Sequence, residues 1–241
     1  MTAVDQRLPR YQQLRDEIAR KIARKVWRPG EAIPTEAELS AEYGIAVGTV
    51  RRAIDMLVAD GLVERQQGRG TFVRRPDFTQ SLLRFLRHQG HDGGQTIPES
   101  RILSLRIVPA PPEPAARLGL PPGADVLRIE RHRLLEGKVV MIEEIWLPKA
   151  RFAALLDLNP LDFGPLMYPL YERVCGEIVA QAEEVLTIEP LSAAAAVLLQ
   201  QPMGTPAVVI ERLALNYERH PLEWRVSRAP GATFRYKVEL R

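Results

Sequence analysis

One cysteine in 241 residues, Cys175, excludes an internal disulfide framework and fits a reducing compartment. No histidine lies near it in sequence, so it reads as a small half-buried residue rather than a nucleophile. Histidine is scarce as well. His88, His91, His132 and His220 show no metal-ligand spacing, and no Ser/His/Asp or Cys/His arrangement is visible. No metal, no cofactor and no catalytic residues are therefore expected. No uninterrupted apolar run reaches about 18 residues, and the N-terminus lacks the basic-then-apolar pattern of an export signal. The expectation is a soluble, cytoplasmic protein with no membrane partner. Internal repeats and low-complexity tracts are also missing.

An apolar content of 46% argues against disorder, and 241 residues suffice for two domains with a core each. The net charge of +3 is unevenly placed. Residues 1–75 hold 14 Lys+Arg against 10 Asp+Glu (+4), and the remainder holds 19 against 20 (−1). A modest basic excess confined to one end fits docking on a phosphate backbone better than indiscriminate coating of DNA.

The most informative stretch is 31–73. Thr35 and Glu38 have capping-box spacing, so a helix is expected to begin there, and Gly44 supplies its left-handed stop. A turn over 45–48 leads into a second helix in which Val50, Ile54 and Leu57 share one side. Gly61 ends it. Two short strands, 62–65 and 71–74, flank the glycine-rich tip Gln67-Gly68-Arg69-Gly70. Helix, turn, helix and hairpin outline a winged helix-turn-helix. With the apolar residues inward, Thr49, Arg51 and Arg52 fall on the solvent side. A helix of this kind presents its N-terminal residues to base edges in the major groove, and arginine can bond guanine O6 and N7 together. Arg69 between two glycines can approach phosphate or a minor groove without obstruction. A solvated charged face is the plainer reading of any two arginines; the order of turn, arginine pair and wing favours DNA.

Before this stretch, Tyr11, Leu14, Ile18, Ile22 and Val26 recur at helical spacing, with Arg15, Arg20, Lys21 and Arg24 on the outer face. After it, residues 76–80 read as a linker. From there to the C-terminus the pattern predicts a short helix near 82–86, a loop over 90–98, and a strand over 102–108. A small helix to Leu118 and a hairpin of 126–134 and 139–147 around Glu136-Gly137 follow. Next come helices near 150–156 and 170–174, a strand over 177–188, and a helix over 191–199. A second hairpin, 208–217 with 222–228, and a last strand over 234–240 complete the chain. Strands joined by hairpins, with a few helices, indicate an α+β fold with an antiparallel sheet. Domains are placed at 1–75 and 81–241.

In the first hairpin Arg131 and Arg133 point to one face and His132 to the other. Buried arginines need an anion or a carboxylate. Internal pairing among Arg131, Arg133, Glu143 and Glu144 and an anion-binding pocket stand as equal alternatives on the residues alone.

Residues 34–73 resemble the DNA-binding domain of GntR-family bacterial regulators. The resemblance rests on Pro34-Thr35-Glu36, Glu38-Leu39, Thr49-Val50-Arg51, Leu57, Gly61-Leu62 and the ending Gln67-Gly68-Arg69-Gly70-Thr71-Phe72-Val73. It implies that Thr35, Thr49, Arg51, Arg52, Gln67, Gly68, Arg69 and Gly70 meet DNA. Ala37 and Ala46-Val47 stand where many members carry arginine or Ser-Arg, shifting the contacts toward Arg51, Arg52 and the wing.

The remainder resembles the UTRA effector-binding domain of the HutC subfamily. It does so through Arg131-His132-Arg133, Glu136-Gly137, Glu143 with Trp146-Leu147-Pro148, Leu170-Tyr171, Pro221-Leu222-Glu223, and the tail from Phe234. This resemblance implies a chorismate-lyase-like antiparallel sheet with flanking helices, a homodimer on a palindromic operator, and a small effector. The effector site would draw on Arg131, Arg133, Glu143, Tyr171, Glu184, Glu223 and Phe234. Pro169 and Phe234 replace a serine and a tyrosine that serve sugar-phosphate sensors, which points to a small carboxylate or similar anion. The expected function is a ligand-controlled transcriptional repressor. Two rivals are a dimeric DNA-binding protein with no effector, and a lyase-like enzyme using Glu143 with Glu183 or Glu184.

Overall fold

A computed structural model describes residues 8–75, 97–232 and 234. The chain forms two compact units, one of Met1–Pro76 with Asn216–His220, the other of Asp77–Leu215 with Pro221–Arg241. The helix expected over 82–86, the loop over 90–96, the linker 76–80 and the strand over 235–240 fall outside the described residues. Phe234 is described and belongs to no strand.

In the N-terminal unit α1 (Arg10–Ala23), α2 (Glu36–Tyr43) and α3 (Val47–Ala59) are followed by β1 (Val63–Gln66) and β2 (Gly70–Val73). Leu14, Ile18, Ile22, Leu39, Val50, Ile54 and Leu57 are all buried, and α1 and α2 both pack against α3. α1 is shorter than the apolar spacing suggests. It stops at Ala23, and Lys25 turns into the left-handed region at φ 59°, which leaves Val26 exposed. The capping box at Thr35 is present in both directions, and Gly44 closes α2 at φ 62°. β1 and β2 pair antiparallel, and Ala32 bridges to Phe72 as a partial third strand of the wing.

The C-terminal unit is built on six antiparallel strands: β3 (Glu99–Pro109), β4 (Asp125–Leu135), β5 (Lys138–Pro148), β6 (Gln181–Pro190), β7 (Pro206–Leu215) and β8 (Pro221–Pro230). Their spatial order is β3-β4-β5-β8-β7-β6. Glu136 and Gly137 both have positive φ (51° and 75°), the twist a tight two-residue hairpin requires. On one face α4 (Pro112–Leu118) and α7 (Ala193–Leu199) cover Trp146, Trp224 and Val209, and Ala207, respectively. On the other, Phe152, Leu155, Phe163, Met167, Leu170 and Tyr171 pack on Leu127, Ile129, Ile145 and Leu147. These residues come from α5 (Lys149–Phe152), two 3-10 turns, α6 (Met167–Leu170) and a π-helical turn Tyr171–Cys175.

Two expectations are corrected here. β6 begins at Gln181, so 177–180 is not strand; Gly176 at φ 69° first terminates the π turn. α6 begins at Met167, three residues before the helix expected near 170–174, and Pro169 is its third residue. Its missing N–H still falls among those with no intrahelical partner, and the helix tolerates it.

Candidate functional site

On the N-terminal unit, Arg51 and Arg52 lie exposed on α3 and Thr49 is half-buried in its first turn. Arg52 stacks its guanidinium 4.0 Å from the ring centre of Tyr11. Thr35 is occupied with the helix cap: its backbone N–H donates to Glu38 Oε2 at 2.7 Å and its hydroxyl to the same oxygen at 2.8 Å. At the wing tip Gln67, Gly68, Arg69 and Gly70 are all exposed. Arg69 leans over Phe72 at 5.5 Å. Three residues not anticipated from sequence join this surface. Glu36 accepts from Arg51 Nε at 2.9 Å and from Arg65 at 3.2 Å, and Arg65 donates to Asp55 at 2.6 Å. The outward side of a strand carries no periodic signal that separates Arg65 from any solvated arginine.

The second cluster lies on the face of the six-stranded sheet that also carries Ile129 and Ile145. Arg131 and Glu143 are register partners on β4 and β5, joined at 2.5 Å with both side chains almost fully buried. Ser227 donates to Glu143 Oε1 at 3.2 Å, and Arg225 reaches the same oxygen at 3.4 Å. Arg225 also donates to Glu223 at 2.7 Å, and Tyr171 donates its hydroxyl to Glu223 at 2.6 Å. Tyr168 donates to Glu223 at 3.4 Å and accepts from Arg212, which pairs with Glu184. Arg133 donates to the Pro165 carbonyl at 2.6 Å. Arg131, Arg133, Glu143, Tyr171 and Glu223 are thus brought together, and Glu184 joins through Arg212 and Tyr168.

Phe234 packs with Met141, Ile210 and Ala229 on the same face of the sheet, where Met141 is the register partner of Arg133 and Ile210 that of Ser227. Glu144 faces the opposite side of the sheet and pairs with Arg128. Of the internal pairing expected as one alternative, only the Arg131–Glu143 pair is present. The two-carboxylate arrangement is absent: β8 and β7 separate the strands of Glu143 and Glu184, roughly 14 Å at the usual strand spacing. Glu183 points to the face opposite Glu184.

Among the described residues, four guanidiniums (Arg131, Arg133, Arg212, Arg225) and three carboxylates (Glu143, Glu184, Glu223) make up this cluster. Five buried guanidinium nitrogens have no hydrogen-bond partner: Nη1 and Nη2 of Arg131, Nε and Nη2 of Arg133, and Nε of Arg225. The Ser100 hydroxyl, register partner of Arg133 on β3, is likewise unpaired. Burial and the neighbouring Arg131 push the Arg133 guanidinium down to about 10, so it is charged at neutral pH but at a cost. Burial alone would raise the Glu143 carboxyl; Arg131, Arg225 and Arg133 outweigh it and hold that carboxyl well below the usual range. Burial, reinforced by Glu223, raises the Tyr171 hydroxyl well above its ordinary value, so it remains a donor. Chemically, this is a set of unsatisfied cationic donors around a fixed pair of carboxylates. It can receive an anion flanked by hydroxyl groups.

Two family descriptions fit these two units: "Bacterial regulatory proteins, gntR family" over residues 10–73 and "UTRA domain" over 94–235. The chain belongs to the GntR family. Its order of head and UTRA domain is that of the HutC-type members, and it is a DNA-binding transcriptional regulator. The chain is similar to the HTH-type transcriptional repressor NagR of Bacillus subtilis, at 30% identity over 85% of this chain and 84% of that one. It is also similar to the mannosyl-D-glycerate transport/metabolism system repressor MngR of Escherichia coli, at 26% identity over 96% and 95%. Among solved structures it is similar to PhnF from Mycobacterium smegmatis, with 25% identity, a TM-score of 0.56, and coverage of 94% and 98%.

Sequence reasoning missed Arg225, Ser227, Tyr168 and Arg212 as members of this GntR protein's polar cluster. A signal was available for the first two. Glu223, Arg225 and Ser227 alternate with Trp224 and Val226, which marks a strand with one polar face. The alternation does not reveal that the polar face is covered as fully as the apolar one.

Proposed function

We propose that this GntR regulator is a homodimeric repressor whose hold on a palindromic operator is changed by a small carboxylate bound at the Arg131–Arg133–Arg225 cluster. The observation that carries this reading is the set of five unpaired guanidinium nitrogens on three buried arginines. Buried donors without acceptors are costly, and charged ones more so. Glu143 and Glu223 would accept from hydroxyls of the same ligand, and Ser100 and Ser227 line the arginines. The system named for the Escherichia coli relative handles mannosyl-D-glycerate, which carries a carboxylate.

In the N-terminal unit the reading places Arg51 on a base edge, with Thr35, Thr49 and Arg52 beside it and Gln67, Gly68, Arg69 and Gly70 on the backbone or minor groove. Two heads related by a two-fold axis would read half-sites one or more helical turns apart. Calorimetry with a panel of small carboxylates and of sugar phosphates tests the ligand class. Binding of a carboxylate that Arg133→Met abolishes is the expected result; tight binding of an amino-sugar phosphate in preference to every carboxylate contradicts it. Light scattering tests the assembly. A chain of 27.1 kDa should elute at twice that mass, and a monomer at micromolar concentration counts against the dimer.

A further inference from the structure

Glu36 occupies the first turn of α2, where a carboxylate suits the helix end, yet its contacts run outward from that helix. One oxygen, Oε2, accepts from Arg51 Nε at 2.9 Å and lies in ion-pair contact with Nη2 of the same guanidinium, also at 2.9 Å. The other, Oε1, accepts from Arg65 Nη2 at 3.2 Å. Arg65 in turn reaches Asp55 Oδ1 on α3 at 2.6 Å. One carboxylate therefore ties together guanidiniums from α3 and β1, and it is better covered than Arg51: side-chain exposure is 25% for Glu36 against 62% for Arg51.

Neither stability nor affinity accounts for this arrangement. Exposed ion pairs add little to stability, and a carboxylate facing DNA weakens attraction to phosphate. The pair does fix direction. A free arginine side chain samples many rotamers, and holding it in one before binding removes that cost from recognition. Glu36 engages the Nε/Nη2 side of the fork and leaves Nη1 with the outer N–H of Nη2, the edge that can bond guanine O6 and N7 in parallel.

We propose that Glu36 is a positioning residue for base readout: it holds Arg51 in the orientation that reads a guanine, and braces that arrangement through Arg65 and Asp55. The proposal rests on Arg51 reading a base, and the test separates the two. Full-length protein is used to select from random duplex DNA, with the wild type, E36Q, E36D and R51A. Affinities for the selected operator and for an unrelated duplex are then measured by fluorescence anisotropy, and thermal melts report on folding.

E36Q removes the charge. E36D keeps the charge but shortens the reach, so it no longer holds both arginines. Both variants should melt like the wild type and lose preference at one guanine position by about three- to tenfold, the scale of one good bidentate contact weakened rather than lost. Binding of E36Q to unrelated DNA should stay equal or tighten. R51A should lose the preference at the same position altogether. If R51A loses it while E36Q and E36D keep it in full, Glu36 does not position Arg51 and the proposal fails alone. If R51A keeps it, the assignment of Arg51 as a reader fails and takes the proposal with it.

Discussion

Arg133 sits fully buried on β4 with a backbone carbonyl, that of Pro165, as its hydrogen-bond acceptor. Its charge is sustained against both burial and Arg131, so replacing it with an apolar side chain of similar length should relieve strain. Arg133→Met is expected to leave the unliganded protein as stable or to stabilise it by about 1–3 kcal/mol, while abolishing the response to ligand. Chemical denaturation beside calorimetry checks this; a strongly destabilised variant would mean that Arg133 serves the fold. Glu143 behaves in the opposite way, because Arg131 and Arg225 both depend on it. Glu143→Gln should cost roughly 3–5 kcal/mol at neutral pH by leaving those guanidiniums uncompensated. Its carboxyl is depressed in the fold. The contribution is therefore complete above the unfolded carboxylate value of about 4.3 and fades as pH falls below it. Melting curves of wild type and variant should lie far apart at pH 7 and draw together progressively as pH falls from about 4 toward the depressed folded value. A gap that stays constant into acid would contradict the assignment.

Among the elements, those with local signals were legible. The box at Thr35 and Glu38, the 3-and-4 spacing of Val50, Ile54 and Leu57, and the turn at Glu136-Gly137 each specify their geometry within a few residues. Thr35→Ala removes the side-chain half of the reciprocal cap, the hydroxyl that accepts from the Glu38 N–H, and leaves the backbone half in place; it should cost about 1 kcal/mol in urea denaturation of the N-terminal unit, and no loss would show that packing alone sets the start of α2. Where tertiary context decides, the residues gave less. The π turn Tyr171–Cys175 differs from an α-helix by one hydrogen-bond step that no apolar spacing records, yet it begins at the tyrosine that meets Glu223. Val26 continues the helical period of α1 but follows a left-handed Lys25, so the period outlasts the helix. Likewise, the alternation on β4 shows that Arg131 and Arg133 share a face, while their partnership with Arg225 depends on β8 pairing with β5.

For the whole molecule, the proposed function requires that occupancy of the UTRA unit alter the hold of the head on DNA. Such coupling is reciprocal and typically amounts to 1–3 kcal/mol, or about 5–150-fold in affinity. It also separates this account from a DNA-binding protein whose C-terminal unit serves only assembly, since that protein would hold its operator alike with and without ligand. The most direct measurement is operator affinity by fluorescence anisotropy at fixed salt, in the presence of each member of a panel of small carboxylates and sugar phosphates. The account predicts that at least one carboxylate shifts the affinity of the wild type by about 5-fold or more and leaves that of Arg133→Met unchanged. No shift with any carboxylate, or an equal shift in the variant, would contradict it.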